Sequence, residues 1–142
     1  MIFEEVLEKE YSDYRYARAH HYTVDAYAVQ HSWANRDPKA LQSANVHLAS
    51  LHMMFQNGMD VSSAARFKNS FSKEFKGLDE FIFFEKPLRI EMMTVFEVWD
   101  NPFPEAHLVL AENWARSVWS AMKAYHTGLD VMIKKVETDV FF

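Results

Sequence analysis

The sequence predicts an all-α fold, a four-helix-type bundle with extra short helices, and three observations lead there. Apolar residues recur at three- and four-residue spacings through most of the chain, as amphipathic helices require and alternating strands do not. Only three Gly and four Pro occur, and they fall mostly between the periodic segments. Apolar residues make up 49% of 142 positions, enough for one core and too little for two comfortable ones. Residues 1–142 are therefore expected to form a single helical domain.

The first helix is expected from Ile2 to about Ala17, with Phe3, Val6, Leu7, Tyr11 and Tyr14 on one face and Glu4, Glu5, Glu8 and Lys9 between them. Thr23 is placed to cap a second helix, Val24 to His31, with Asp25 in its first turn, where a carboxylate favours the helix dipole. Val24, Tyr27, Ala28 and His31 would then form its inner face. Asp37 followed by Pro38 opens the next helix, which runs to Gln56 before Asn57-Gly58 stops it. Its core stripe is Leu41, Ala44, Leu48, Leu51 and Phe55. At about 100° per residue, His47 falls about 70° to one side of that stripe and His52 about 70° to the other, so the two cannot share a ligand.

Ser62 is expected to cap a helix from Ser63 to Lys76, with Ala64, Phe67, Phe71 and Phe75 inward and Gly77 ending it. The run Phe81-Ile82-Phe83-Phe84 is β-prone and reads as a buried irregular connection or a short strand. Thr94-Val95-Phe96-Glu97 fits a capping box for a short helix that Asn101-Pro102 ends. The longest helix is expected from Pro104 to about Val136, on a stripe of Trp114, Val118, Met122, Tyr125, Leu129 and Ile133. Gly128 is a soft point in it, costing about 1 kcal/mol relative to Ala.

Composition excludes several kinds of partner. Fifteen Lys and Arg against 20 Asp and Glu give a net charge of −5, which disfavours a phosphate backbone, and no basic patch offsets it. Nucleic acid is not an expected partner. The absence of Cys removes disulfides, thiolate metal sites and Cys nucleophiles, and leaves His and carboxylates as the strong ligands. The first twenty residues are charged throughout, and no run approaches the roughly 20 apolar residues of a membrane span. A soluble, cytoplasmic protein is expected, with no membrane partner.

The stretch from Thr23 to Phe55 concentrates the chemistry, because Asp25, His31, Gln42, Ser43 and His47 sit close to apolar helix faces. Such groups need hydrogen-bond partners or a ligand, since burying them unpaired costs several kcal/mol. His126, on the last helix, lies at the edge of its stripe on the same side as Glu112, Trp119 and Asp130. His31, His47 and His126 are thus three imidazoles on three helices, the way bundles build metal sites. Three neutral imidazoles with an open fourth position would suit a divalent metal such as zinc or nickel, whose bound water would supply a hydroxide nucleophile. Glu112 or Asp130 would then orient a ligand or act as general base. No HxxxH or HExxH pair lies on any one helix, and a lone His near an apolar face is more often hydrogen-bonded to a neighbouring helix. Ser43 sits one turn before His47 and either orients it or faces solvent with Gln42, while the aromatic residues are mostly core, with Trp114 and Trp119 placed to wall a pocket.

Three segments, VDAYAVQH at 24–31, QSANVHL at 42–48 and WARSVWSAMKAYH at 114–126, carry a resemblance. They resemble an uncharacterised bacterial family that shares a VDAYAxQH segment, a QSxxVHL segment and a WxxSVWxxW helix ending in His. The likeness runs in order from Tyr22 to Leu129 and implies importance for Asp25, Gln30, His31, Gln42, Ser43, His47, Trp114, Trp119 and His126. The family has no established activity. This chain departs from it at Met122, where the family tends to have Trp, and at Tyr125, where a His often precedes the last one. A more distant likeness to DinB-like bundles, metal-dependent hydrolases and thiol transferases with a three-His site, is architectural only, because the paired His of one helix is missing here.

Two classes of function remain open: a small metal-dependent enzyme of hydrolase or transferase type, and a non-catalytic helical domain binding a small apolar ligand or a protein partner. A small-molecule ligand is expected for the first class and is one of the two options for the second. Two apolar runs, Phe81 to Phe84 and the ending Val140-Phe141-Phe142, exceed what the stripes need and point to a homodimer contact.

Overall fold

A computed structural model describes residues 14–33, 36–74, 81–85 and 104–141 of the chain. It is all-α, as the periodicity predicts. The helices are α1 (Tyr14–His31), α2 (Pro38–Asn57), α3 (Val61–Glu74), α4 (Pro104–Ala121) and α5 (His126–Phe141), with a 3-10 turn, Lys123–Tyr125, between the last two. No strand occurs among the described residues. Residues 2–13 of the helix expected from Ile2 to about Ala17, the capping-box helix near Thr94 and the side chains of the ending lie outside them.

The helix ends follow from local chemistry. Asp37 accepts hydrogen bonds from the Lys39 and Ala40 amides at 3.0 and 3.2 Å, and Pro38 occupies the first turn, where a missing N–H costs nothing. Gly58 closes α2 in the left-handed region, with φ 70°, and its N–H returns to the Met53 carbonyl. The cap of α3 is Asp60 and not Ser62. The Ser63 amide and hydroxyl both donate to its carboxylate, at 2.8 and 3.0 Å, and these bonds hold the Asp60 carboxyl below its ordinary pKa.

Two expectations about helix continuity are corrected. Thr23 caps nothing, since α1 runs unbroken from Tyr14 to His31. No Gly or Pro interrupts His20-His21-Tyr22-Thr23, and Ala19, Tyr22, Ala26 and Val29 form one buried stripe straight through it. Val24 and Tyr27, expected inward, face outward. Conversely, the single long helix expected from Pro104 to Val136 is interrupted six residues before the soft Gly128. There the Met122 and Tyr125 amides bond three residues back, to the Trp119 and Met122 carbonyls. The stripe survives the interruption, with Trp114, Val118, Met122, Leu129 and Ile133 all buried.

Helix α2 is the central element and touches each of the other four, while α1 packs most extensively along α4. From Ala44 to Met54 every residue but His47 is buried. Residues 81–85 form an irregular connection over this core. Asn45, wholly buried, donates to the Ile82 carbonyl at 2.7 Å and accepts from the Ile82 amide at 2.8 Å, so its side-chain amide pairs with a main chain as a strand would. Tyr125 accepts from the Glu85 amide at 3.1 Å, and its ring meets Phe84 edge-on. A Cβ on Gly128 would lie 2.9 Å from the Ile82 Cδ1, the end of a flexible side chain that would have to shift. Phe84 lies in the chain's own core, with Phe81 and Ile82 packed against it.

Candidate functional site

Three helices meet at Asp25. Its mid-helix position on the inner face of α1 leaves it 0% exposed, a placement that costs several kcal/mol unless the charge is paired. Lys68, from α3, donates to Oδ1 at 2.8 Å, and Ser50, from α2, donates to Oδ2 at 2.9 Å. Also from α2, the His47 Nδ1 lies 2.7 Å from Oδ1. An ionised carboxylate only accepts, so His47 carries a proton on Nδ1, and in the neutral ring Nε2 keeps its lone pair.

His47 is the half-exposed break in an otherwise buried run, and it lines a cleft of about 400 Å³. The other described residues around this cleft are His21, Val46, Ala65, Lys68, Asn69 and Ser72. Nε2 meets no hydrogen-bond partner among the described residues and is the polar atom His47 offers to that space. The arrangement is an imidazole fixed in one tautomer and orientation by a buried carboxylate, with a basic nitrogen facing an open cleft. Chemically, it can accept a proton from a bound molecule or from water, and return it.

A second polar cluster lies where α2 meets the α4–α5 interruption. His52, 1% exposed, accepts from the Trp119 indole at 2.9 Å through Nδ1. An indole N–H only donates, so His52 carries its proton on Nε2 and donates it to Asp130 at 2.6 Å. The His126 Nε2 donates to the Trp119 carbonyl at 2.8 Å, and its ring stacks on Trp119 at 4.6 Å, with His52 at 4.9 Å. Burial lowers the His126 pKa below the usual imidazole value, with smaller pushes from His52 and Lys123; the Trp119 carbonyl and Asp130 act the other way. A cleft of about 410 Å³ adjoins it, lined by Gln56, Trp119, Ser120, Lys123 and His126.

The residues singled out in the sequence are dispersed. Asp25 and His47 come together, but through a direct bond. Trp119, His126 and Asp130 form the second cluster, joined by His52. His31 is exposed at the end of α1 against the Tyr27 ring at 4.1 Å, a correction to its expected inward position. Trp114 is core, its indole donating to Gln30 at 3.0 Å. Glu112 meets Arg116 at 3.5 Å on an open surface. Gln42 and Ser43 are half-buried and form no side-chain bond among the described residues; Ser50, not Ser43, joins the His47 cluster. Ser50 lies three residues after His47 on the same helix face, a signal that was readable. Lys68 gave none, because on α3 it reads as an ordinary surface charge.

No group of three or more His, Asp or Glu side chains stands ready to hold a metal ion among the described residues. His31, His47 and His126 occupy three separate surroundings and do not fit a shared zinc or nickel ion. No curated protein and no solved structure matches the chain. One family model matches residues 1–123, a span that includes Asp25, His47, Ser50, Lys68 and Trp119 and stops before His126 and Asp130. By that match the chain belongs to DUF5946, a family of unknown function.

Proposed function

We propose that the cleft beside His47 is a small-molecule site at which His47 acts as general base and acid, making the protein an enzyme of hydrolase or transferase type. One observation carries this reading: a fully buried carboxylate engages His47 Nδ1 and leaves Nε2 to an open cleft. Asp25 is the positioning residue, and Lys68 and Ser50 hold Asp25 in turn. Ser50 is committed to Asp25 and is not a nucleophile; the group that loses its proton to His47 is a water or a hydroxyl at the cleft, of the substrate or of Ser72. Proton transfer by a positioned imidazole contributes about 10²- to 10⁴-fold to a rate.

The test is a panel of small esters, thioesters and phosphoesters, offered to the native protein and to His47→Ala. Turnover by the first, reduced about 10²-fold or more in the second, is the expected result. A reagent that acylates imidazole nitrogens should label His47 faster than His52, whose two nitrogens are both engaged. Equal labelling together with an inert panel would sink the reading. Labelling of His47 with binding but no turnover would move it to the non-catalytic ligand-binding class.

A further inference from the structure

The cleft beside His47 is bordered by one lysine, two histidines and neutral hydrogen-bond donors and, among its described residues, by no acid. We infer that the molecule it takes is a small oxyanion, carboxylate or phosphate, held by the Lys68 ammonium beside the His47 ring; this rests on the His47 site proposed above. Three of its seven described lining residues, His21, His47 and Lys68, are basic, and Asn69 and Ser72 add neutral donors. That border runs against the composition, since the chain carries 20 acids to 15 Lys and Arg and a net charge of −5.

Asp25, the carboxylate that His47 and Lys68 contact, does not spoil the site for an anion. It is 0% exposed and lies behind these two lining residues, and the Lys68 charge offsets it at 2.8 Å. The Lys68 ammonium has three N–H donors and gives one to Asp25, so the others remain for a ligand. With His47 neutral, Asp25 and Lys68 sum to zero; a proton on Nε2 makes the trio +1 and adds a donor at the cleft. The groups facing His47 from the packed elements are His21 and Asp25 on α1, Ser50 on α2, and Lys68, Asn69 and Ser72 on α3. About 400 Å³ lies at the small end of ligand sites, which suits a compact anion.

The experiment follows the His47 ring signal by NMR while inorganic phosphate or acetate is added to the full chain, beside Asn69→Asp and Asn69→Lys. Asn69 is exposed and forms no side-chain bond among the described residues, so both variants should fold, which circular dichroism checks. Saturable shifts are expected with at least one anion, weakened about tenfold by Asn69→Asp and tightened by Asn69→Lys, since an added charge at the rim is worth about 1.4 kcal/mol. The anion that saturates first identifies carboxylate or phosphate as the preferred group. Unmoved signals with both anions, or equal affinity in Asn69→Asp, would overturn the inference. The nitrogen-15 shifts of His47 without ligand report the Nδ1–H tautomer independently. If that tautomer is present and neither anion binds, the oxyanion falls and the His47 base stands.

Discussion

His47 and His52 sit five residues apart on α2, and each is tied to a carboxylate from another helix, yet the two pairs are built in opposite senses. In the first the carboxylate is hidden and the imidazole is the outer member, 0% against 20% exposed at the side chains. In the second the imidazole is hidden and the carboxylate is the outer member, 1% against 58%. His52 has both nitrogens engaged, one by Trp119 and one by Asp130, so it is a structural joint between α2 and the α4–α5 interruption. His47 has one nitrogen engaged and, among the described residues, one left over. The lesson is that the number of polar groups in a cluster says little about its chemistry; the atom left without a protein partner, and whether it faces a cleft, says more.

That contrast can be broken experimentally, and the largest effect should come from its hidden carboxylate. Asp25→Ala strands Lys68 and His47 together and is expected to cost about 3 to 5 kcal/mol of stability by urea titration. A loss below about 1 kcal/mol would mean that Asp25 is not the buried hub of the first cluster. Trp119→Phe keeps most of the ring contact but removes the donor that, among the described residues, serves the buried His52 Nδ1, so a loss of about 1 to 3 kcal/mol is expected from thermal unfolding. An unchanged midpoint would show that His52 finds another donor and is less of a joint than described.

Asp130→Asn should be milder, about 0 to 1 kcal/mol, because its side chain is 58% exposed and water replaces the lost charge. If this variant proved as damaging as Asp25→Ala, the two clusters would not differ as argued. The smallest effect is a pH slope. The His126 pKa is lowered by burial, so the native state binds fewer protons there than the unfolded chain, and stability falls as pH drops from the ordinary imidazole value of 6.5 towards the lowered one. His126→Gln should flatten that slope between neutral and mildly acid pH without touching the His47 cleft. An identical slope in the variant would place the proton uptake elsewhere.

Much of the architecture was legible because helical periodicity is a local property. The caps at Asp37 and Gly58, and the placing of His47 and His52 on opposite flanks of α2, needed only spacing and turn chemistry. The cluster around Asp25 was half legible. Its acid and imidazole stood out as polar groups near apolar faces, but Thr23 followed by Asp25 has the look of a helix start, and only the stripe from Ala19 to Val29 overrides it. Lys68 lies 43 residues from Asp25, and no local rule links a surface-looking lysine to a buried carboxylate so distant in sequence. The interruption at Met122 was hidden for a related reason. No Gly or Pro marks it, and it coincides with contacts to residues 81–85 that only the folded chain brings together.

The pairing of Asn45 with Ile82 bears on how this family can vary. A side chain that grips another residue's amide and carbonyl is blind to what that residue carries beyond its Cα. Position 82 is thereby free, as far as this grip is concerned, to drift among residues that fit against Gly128, with proline barred because it would remove the donated N–H. Position 45 has no such latitude, since an amide side chain of that length must supply a donor and an acceptor together. Insertions and deletions in the 81–85 segment should therefore be purged more strictly than substitutions there, giving a connection that is fixed in length and loose in spelling.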